Sequence, residues 1–166
     1  DIVAEQKDDP ILRGVSDMHV RAGCYTANPI EGSITLANGI VLNGMAKDSP
    51  VDPVKGATPQ PVVWVRNYKS KSGKDARIFA TTQGASEDIL NDGFRRLLVN
   101  AHLWCLGMDD QIKPDNDIAF VGPYHPATFS FTGFRRGIKP ADLAGWDTPI
   151  LNPNAPLVET NAEAKK

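Results

Sequence analysis

The chain has 166 residues, of which 41% are hydrophobic, and this is enough apolar material for one domain with a buried core. Its 18 Lys and Arg residues are interspersed with 20 Asp and Glu residues, so the formal net charge is -2 and no basic face is indicated for nucleic acid. No apolar run reaches the roughly 18 residues that a transmembrane helix needs, so the sequence predicts no membrane span.

The first third of the chain predicts little regular structure. Pro10 to Val15 form a short apolar cluster that suits an element entering the core, and residues 16–33 are rich in turn formers. Ser33 to Met45 contain two β-rich runs on either side of Asn38-Gly39, a dipeptide that favours a tight hairpin turn. A short hairpin or a bent strand is expected there.

Two strands are predicted after a proline-rich connection at residues 50–61. Residues 62–68, VVWVRNY, are β-branched and aromatic, and residues 76–82, ARIFATT, form a similar run. The hydrophilic connection between them is short, whereas a parallel pair would need a crossover of about a dozen residues. The two strands are therefore expected to pair antiparallel.

The strongest periodic pattern predicts an amphipathic helix over about residues 87–106. Ser86 is a candidate N-cap and Gly107 a candidate left-handed C-cap. The apolar positions recur at steps of three and four residues. They are Leu90, Phe94, Leu97, Leu98, Ala101, Trp104 and Cys105.

The cysteines and histidines give no metal or cofactor motif. Cys24 and Cys105 are far apart and lack CxxC spacing, so neither a zinc site nor a disulfide framework is indicated, although a single bridge stays open. Cys105 lies in the apolar helix pattern and is predicted to be a small core residue. No HxH or HExxH spacing supports a metal, and no cofactor is predicted.

Residues 77–89 predict a strand that passes through a Gly turn into a helix. Free N–H groups near Gly84 can bind an anion, but Glu87 and Asp88 lie at the same place and repel phosphate. No nucleophile-elbow or Walker spacing is present, so a structural corner is favoured. Gln83 and Ser86 can hydrogen-bond a polyol; the alternative for Ser86 is a role in capping alone.

Further candidates for ligand binding lie on the first predicted strand. Trp64, Arg66 and Tyr68 alternate and so point to one face, where two rings beside an Arg suit a sugar or a carboxylate. A cross-strand stack is the alternative. His125 is the weak candidate for a general base, against the alternative of a surface residue in a Pro-rich loop.

Three long segments carry a family resemblance. They are PVVWVRNY, GKDARIFATTQGASEDILNDGFRRLLVNAHLWCLGM and FVGPYHPATFSFTGFRRGIKPADLAGWDTPI, with the shorter DPILRGV and LNGM upstream. Together they resemble the ThuA-like trehalose-utilisation family. The resemblance implies an α/β domain of the class I glutamine amidotransferase-like superfamily, with a flavodoxin-like layered sheet, and a link to disaccharide or modified-sugar metabolism.

The chain also departs from the family pattern. Many relatives have Gly-His at the strand-to-helix turn, whereas this chain has Gly84-Ala85, and Asp9 stands where relatives often have His. The family domain usually begins with a further α/β half, so residues 1–150 are expected to be the C-terminal portion of such a domain and 151–166 a mobile tail or linker. Glutaminase chemistry is not carried over.

Two functions therefore remain open. One is a carbohydrate-related enzyme domain in which Gln83, Ser86 and Arg66 orient hydroxyls and Trp64 or Tyr68 stacks on the ring. The other is a non-catalytic sugar-binding or scaffold module of a larger protein. A small carbohydrate is the expected partner, an exposed sheet edge could mediate association, and the resemblance alone slightly favours a periplasmic or secreted location.

Overall fold

The computed structural model describes residues 1–16, 18–21, 23–122, 124 and 126. They belong to two compact units, one formed by Asp1–Ile118 and one that begins at Ala119. The predicted boundary at residue 150, the predicted tail 151–166 and the candidate base His125 lie outside the described residues.

The first unit combines helix and strand around a small antiparallel sheet. Its strands are β1 (Ile34–Gly39), β2 (Gln60–Lys69) and β3 (Asp75–Thr81), and they lie in the order β1-β2-β3. The antiparallel pairing of β2 with β3 confirms the prediction. Their tight connection is closed by a 2.8 Å hydrogen bond from the Ser70 N–H to the Lys74 carbonyl.

β1 is one irregular strand and not a hairpin. Asn38 and Gly39 are its last two residues and pair with Pro61 and Gln60, and the register shifts twice along the strand. Gly39 is needed for packing and not for a turn, because a Cβ there would lie 2.7 Å from Val62 Cγ1. Close packing thus explains a dipeptide that is typical of hairpin turns, and the bent strand is the correct alternative.

The predicted single helix is divided in two. A 3-10 helix spans Ser86–Leu90 and the α-helix α1 spans Asp92–Cys105. Between them Asn91 has extended backbone angles, and its side-chain oxygen accepts a 2.8 Å hydrogen bond from the Phe94 N–H. Asn91 is therefore the N-cap of α1, and the prediction of Ser86 for that role was wrong.

The C-terminus of α1 ends as predicted. Gly107 has a φ of 74° and its N–H donates to the Trp104 carbonyl at 3.0 Å. The Met108 N–H donates to the Leu103 carbonyl at 2.9 Å. These two bonds form the Schellman motif, in which a left-handed residue after the helix satisfies its last carbonyls.

One hydrophobic cluster joins α1 to the sheet. Phe94, Leu97 and Ala101 are buried together with Val63 and Val65 of β2. The same cluster contains Ile11 and Leu12, which confirms that the early apolar segment enters the core. Trp104 completes the buried stripe of α1.

Two residues of the predicted apolar stripe are exposed instead. Leu90 is 52% exposed because it belongs to the 3-10 helix, where the periodicity of α1 does not continue. Cys105 is exposed as well, so its prediction as a core residue was wrong. Consecutive helical residues point about 100° apart, and the buried direction at this end of α1 is taken by Trp104.

A buried amide ties the early segment to α1. Asn100 is fully buried, and its Nδ2 donates to the carbonyls of Ile11 and Arg13, both at 2.9 Å. Position 100 lies three residues after Leu97 and four before Trp104, so it is on the buried face of α1, where a polar side chain needs a partner. The requirement comes from the neighbouring backbone, since buried carbonyls need donors.

Four arginines bind backbone carbonyls in the same unit, each reaching across to another segment. Arg13 binds those of Asp109 and Ile112, Arg77 that of Trp104, Arg95 those of Ile89 and Ile118, and Arg96 that of Asn116. These bonds fix the path of residues 109–118 across the molecule.

Arg77 also binds the carboxylate of Asp109 and lies over the ring of Trp104, with its guanidinium carbon 5.0 Å from the ring centroid. The hydrogen bond from Arg77 lowers the pKa of Asp109 below its ordinary value. The pair therefore joins β3 to the segment that follows α1.

The described residues include no helix of the length and apolarity needed to cross a membrane. β1 and β3 are the edges of the sheet. The outer edge of β1 is partly bonded, since the Val3 N–H donates to the Leu36 carbonyl at 2.9 Å. Within the described part of the chain, no strand pairs with the outer edge of β3.

Asn91→Ala is expected to lower the free energy of unfolding by about 1 kcal/mol, because the first turn of α1 loses its side-chain acceptor. Urea unfolding followed by circular dichroism measures this. Asn28→Ala, at an exposed position far from any helix end, is the matched control and should be close to neutral. Equal stabilities of the two variants would contradict the cap.

Asp109 is expected to make stability fall in acid. A carboxylate with a lowered pKa in the folded state stabilises the fold above its unfolded pKa of about 3.9, and this contribution is lost as the pH falls through the lower folded value. Asp109→Asn should therefore flatten the loss of melting temperature between about pH 5 and pH 3. The neighbouring exposed Asp110→Asn serves as control and should retain the wild-type slope.

Candidate functional site

A cleft of about 480 Å³ lies beside the sheet in the first unit. Its apolar base includes Ala37, Val62, Val63 and Phe94, which belong to the hydrophobic core. Because these residues come from β1, β2 and α1, the base is built on the most firmly packed elements of the fold. Its volume falls within the range of about 300 to 1,000 Å³ that small-molecule sites occupy.

Two loop segments form the walls of the cleft. One wall is contributed by residues 18–21, 23 and 24, and the other by a loop between residues 41 and 52. The base of that loop is closed like a small hairpin, with 2.9 Å between the Asp52 N–H and the Val41 carbonyl. His19 Nε2 lies 3.2 Å from the Met45 carbonyl and connects one wall to the other.

Gln83 lines the cleft and carries a buried polar atom that lacks a partner among the described residues. Its side-chain oxygen Oε1 is buried, and no described residue hydrogen-bonds to it. Its backbone N–H donates to Thr81 Oγ1 at 3.0 Å, so the residue is fixed two positions after the end of β3. A buried acceptor without a donor is costly, and a ligand hydroxyl can satisfy it.

The corner that follows Gln83 is occupied by the chain's own carboxylate. Asp88 is 2% exposed, and its Oδ2 accepts from the N–H groups of Gly84 at 3.1 Å and Ala85 at 2.9 Å. These N–H groups are the ones that an external anion would need. The corner thus has the structural role that the sequence favours.

An ion pair lies beside this corner. Arg21 Nη1 is 3.8 Å from Glu87 Oε2, and the Arg21 side chain is half exposed while that of Glu87 is largely buried. Arg21 also lines the cleft. A partly exposed pair at this separation stabilises little, so its effect is mainly on the placement of the Arg21 side chain.

Of the five predicted binding residues, only Gln83 lines this cleft. Trp64, Arg66 and Tyr68 share one face of β2, as predicted, opposite the buried Val63 and Val65. Tyr68 lies at the far end of the strand and lines a different, open groove between the sheet and the end of α1. Ser86 is exposed in the 3-10 helix.

Several residues of the cleft were not predicted. His19, Arg21, Cys24 and Lys47 line it, but they come from irregular segments in which no periodicity indicates a common surface. Asp88 was predicted only as a charge at a helix start. Its side chain points inward because it accepts hydrogen bonds from the N–H groups of Arg21, Gly84 and Ala85. The sequence pattern does not indicate these contacts.

Cys24 is a half-buried thiol of the cleft, and burial raises its pKa above the ordinary value. Cys105 is exposed, and both thiols are free. Among the described residues, no group of three or more His, Cys, Asp or Glu side chains is arranged to hold a metal ion.

Comparison of the chain with protein-family models, with curated proteins and with solved structures finds no match.

The two thiols are expected to react at different rates. At pH 7.5 a disulfide reagent such as DTNB should label Cys105 at least about tenfold faster than Cys24, because burial lowers both the access to Cys24 and its thiolate fraction. Cys24→Ser and Cys105→Ser assign the two phases. Faster labelling of Cys24 would contradict its position in the cleft.

Proposed function

We propose that this chain is a carbohydrate-binding α/β domain of the ThuA-like type, with a role in disaccharide or modified-sugar metabolism. The observation that carries the proposal is the buried, unbonded side-chain oxygen of Gln83 in a cleft with an apolar base. The resemblance of the sequence to the ThuA-like family supplies the link to sugar metabolism.

The chemistry of the cleft matches that of a sugar. A sugar ring presents hydroxyl groups at its edge and C–H groups on its faces, so it needs polar atoms beside an apolar surface. Gln83 offers the polar atom, and Val62 and Phe94 contribute to the apolar surface. A hydroxyl both donates and accepts, and can therefore satisfy the amide of Gln83 in either orientation.

We also propose that the first unit is the margin of a flavodoxin-like layered fold, in which its antiparallel strands would lie at the edge of a mostly parallel sheet. In support, α1 covers one face of the sheet, and the other face carries Ile78 and Tyr68, which are 39% and 41% exposed. A second layer of helices would bury this face. In that architecture Trp64 and Tyr68 pack in the core, so the cleft beside Gln83 and not the sheet face would bind the sugar.

The alternative of a binding module without catalysis has one observation in its favour. Within the described part of the chain, the histidine that lines the cleft is His19, and its ring is engaged with the Met45 carbonyl. General acid–base catalysis needs a titratable group free to reach the substrate. Incubating the protein with a bound sugar and following the sugar by NMR for turnover distinguishes the two functions.

Gln83→Ala is expected to weaken sugar binding about tenfold, which corresponds to the loss of one hydrogen bond to a buried acceptor. Isothermal titration with a panel of disaccharides and oxidised sugars, starting with trehalose, measures the dissociation constant. Gln111→Ala removes an exposed amide outside the cleft and is the matched control.

The proposal requires that at least one sugar of the panel binds the wild type and that Gln111→Ala binds it equally well. Failure of the whole panel with protein that melts cooperatively would overturn the proposed function. If Gln83→Ala and the wild type bind the sugar with equal affinity, the sugar does not bind beside Gln83. Trp64→Ala would then test whether it binds on the sheet face.

A further inference from the structure

We infer that Asp88 is a positioning residue for the cleft, because it holds the wall that contains Arg21 in a fixed position relative to the turn that carries Gln83. The inference that this serves sugar binding rests on the proposed function. The positioning itself rests on contacts within the chain and is tested separately.

The two oxygens of the Asp88 carboxylate have different partners. Oδ2 accepts the N–H groups of Gly84 and Ala85, which directly follow Gln83. Oδ1 accepts the N–H of Arg21 at 3.2 Å, and Arg21 lies 67 positions earlier in the chain. One buried side chain thus bonds the backbone of two distant segments that line the same cleft.

No apolar contact can replace this arrangement. These three partners are all backbone donors, so the side chain between them must accept on both sides, as a carboxylate does with its two oxygens. Hydrogen bonds to a charged acceptor are about twice as strong as neutral ones. Asp88 is nearly inaccessible to solvent, so water cannot replace its oxygens as acceptors for these N–H groups.

The geometry predicts that Asp88→Asn affects the two segments differently. An amide has the same size as the carboxylate but accepts at one end and donates at the other. We expect its oxygen to keep the two local bonds to Gly84 and Ala85, which lie four and three residues earlier in the same turn, and its NH₂ group to face the Arg21 N–H. Two donors then face each other, so this variant should release the wall that contains Arg21 alone, whereas Asp88→Ala should release both segments.

Residue-resolved amide hydrogen exchange by NMR on the full chain tests this. In Asp88→Asn, exchange at Arg21 should accelerate about tenfold, the loss of roughly one hydrogen bond, while Gly84 and Ala85 stay within about threefold of wild type. In Asp88→Ala, all three should accelerate. Rates are compared after correction for global stability, taken from core amides such as that of Leu97, and Asp115→Asn at an exposed position is the control.

Equal acceleration of exchange at the three amides in Asp88→Asn, or no acceleration at any of them, would overturn the positioning role. A residue that only stabilises the fold would affect exchange in both segments alike. If Asp88→Ala does not fold, the isosteric variant alone decides. Trehalose titration of the same variants tests the link to binding, and we expect Asp88→Asn to weaken it about tenfold. If a variant whose wall is released still binds trehalose as tightly as the wild type, Asp88 does not position the cleft for binding. If the wild type binds no sugar, the proposed function is overturned, and the exchange pattern still decides whether Asp88 positions the two segments.

Discussion

Burial of the apolar stripe of α1 against one face of a three-stranded sheet is the contact on which the rest of the first unit depends. Phe94, Leu97 and Ala101 meet the same cluster as Val63 and Val65, and fully burying one large apolar side chain contributes about 1.5 to 3 kcal/mol. Because this contact fixes the helix on the sheet, every polar feature at the margin of the core has a defined position. The buried Asn100 and the base of the cleft are both set by it.

The polar groups at that margin follow one rule, which is that backbone donors and acceptors leaving the sheet and helix are satisfied by side chains. Asn100 satisfies two carbonyls, Asn91 an N–H at the start of α1, and Asp88 the N–H groups of Gly84 and Ala85 at the corner and that of Arg21. Four side-chain oxygens are buried without a partner among the described residues, and of their four residues Gln83 is the one that lines the cleft. A polar atom left over at the edge of a well-satisfied fold is where a ligand is expected.

The sequence predicted the features that local patterns control. The antiparallel pair β2 and β3 followed from composition and a short connection, and α1 with its Gly107 cap followed from periodicity. The patterns failed where distant segments meet: Gly39 is small because Val62 lies against it, and Cys105 is exposed although the apolar pattern includes it. Gln83 was found as a candidate because its amide can donate to and accept from a polyol at the predicted strand-to-helix turn, whereas the wall at residues 18–21, 23 and 24 depends on long-range bonds that no local pattern encodes.

The bonds from arginines to backbone carbonyls have a consequence for how the sequence can vary. Arg13, Arg95 and Arg96 hold the segment from 109 to 118 by its main chain, which is the same whatever side chain each position carries. The segment can therefore drift in sequence while its path stays constant. Arg95 has no such latitude, because its Nε and Nη1 bind the carbonyls of Ile118 and Ile89 at once and lysine lacks this planar fork.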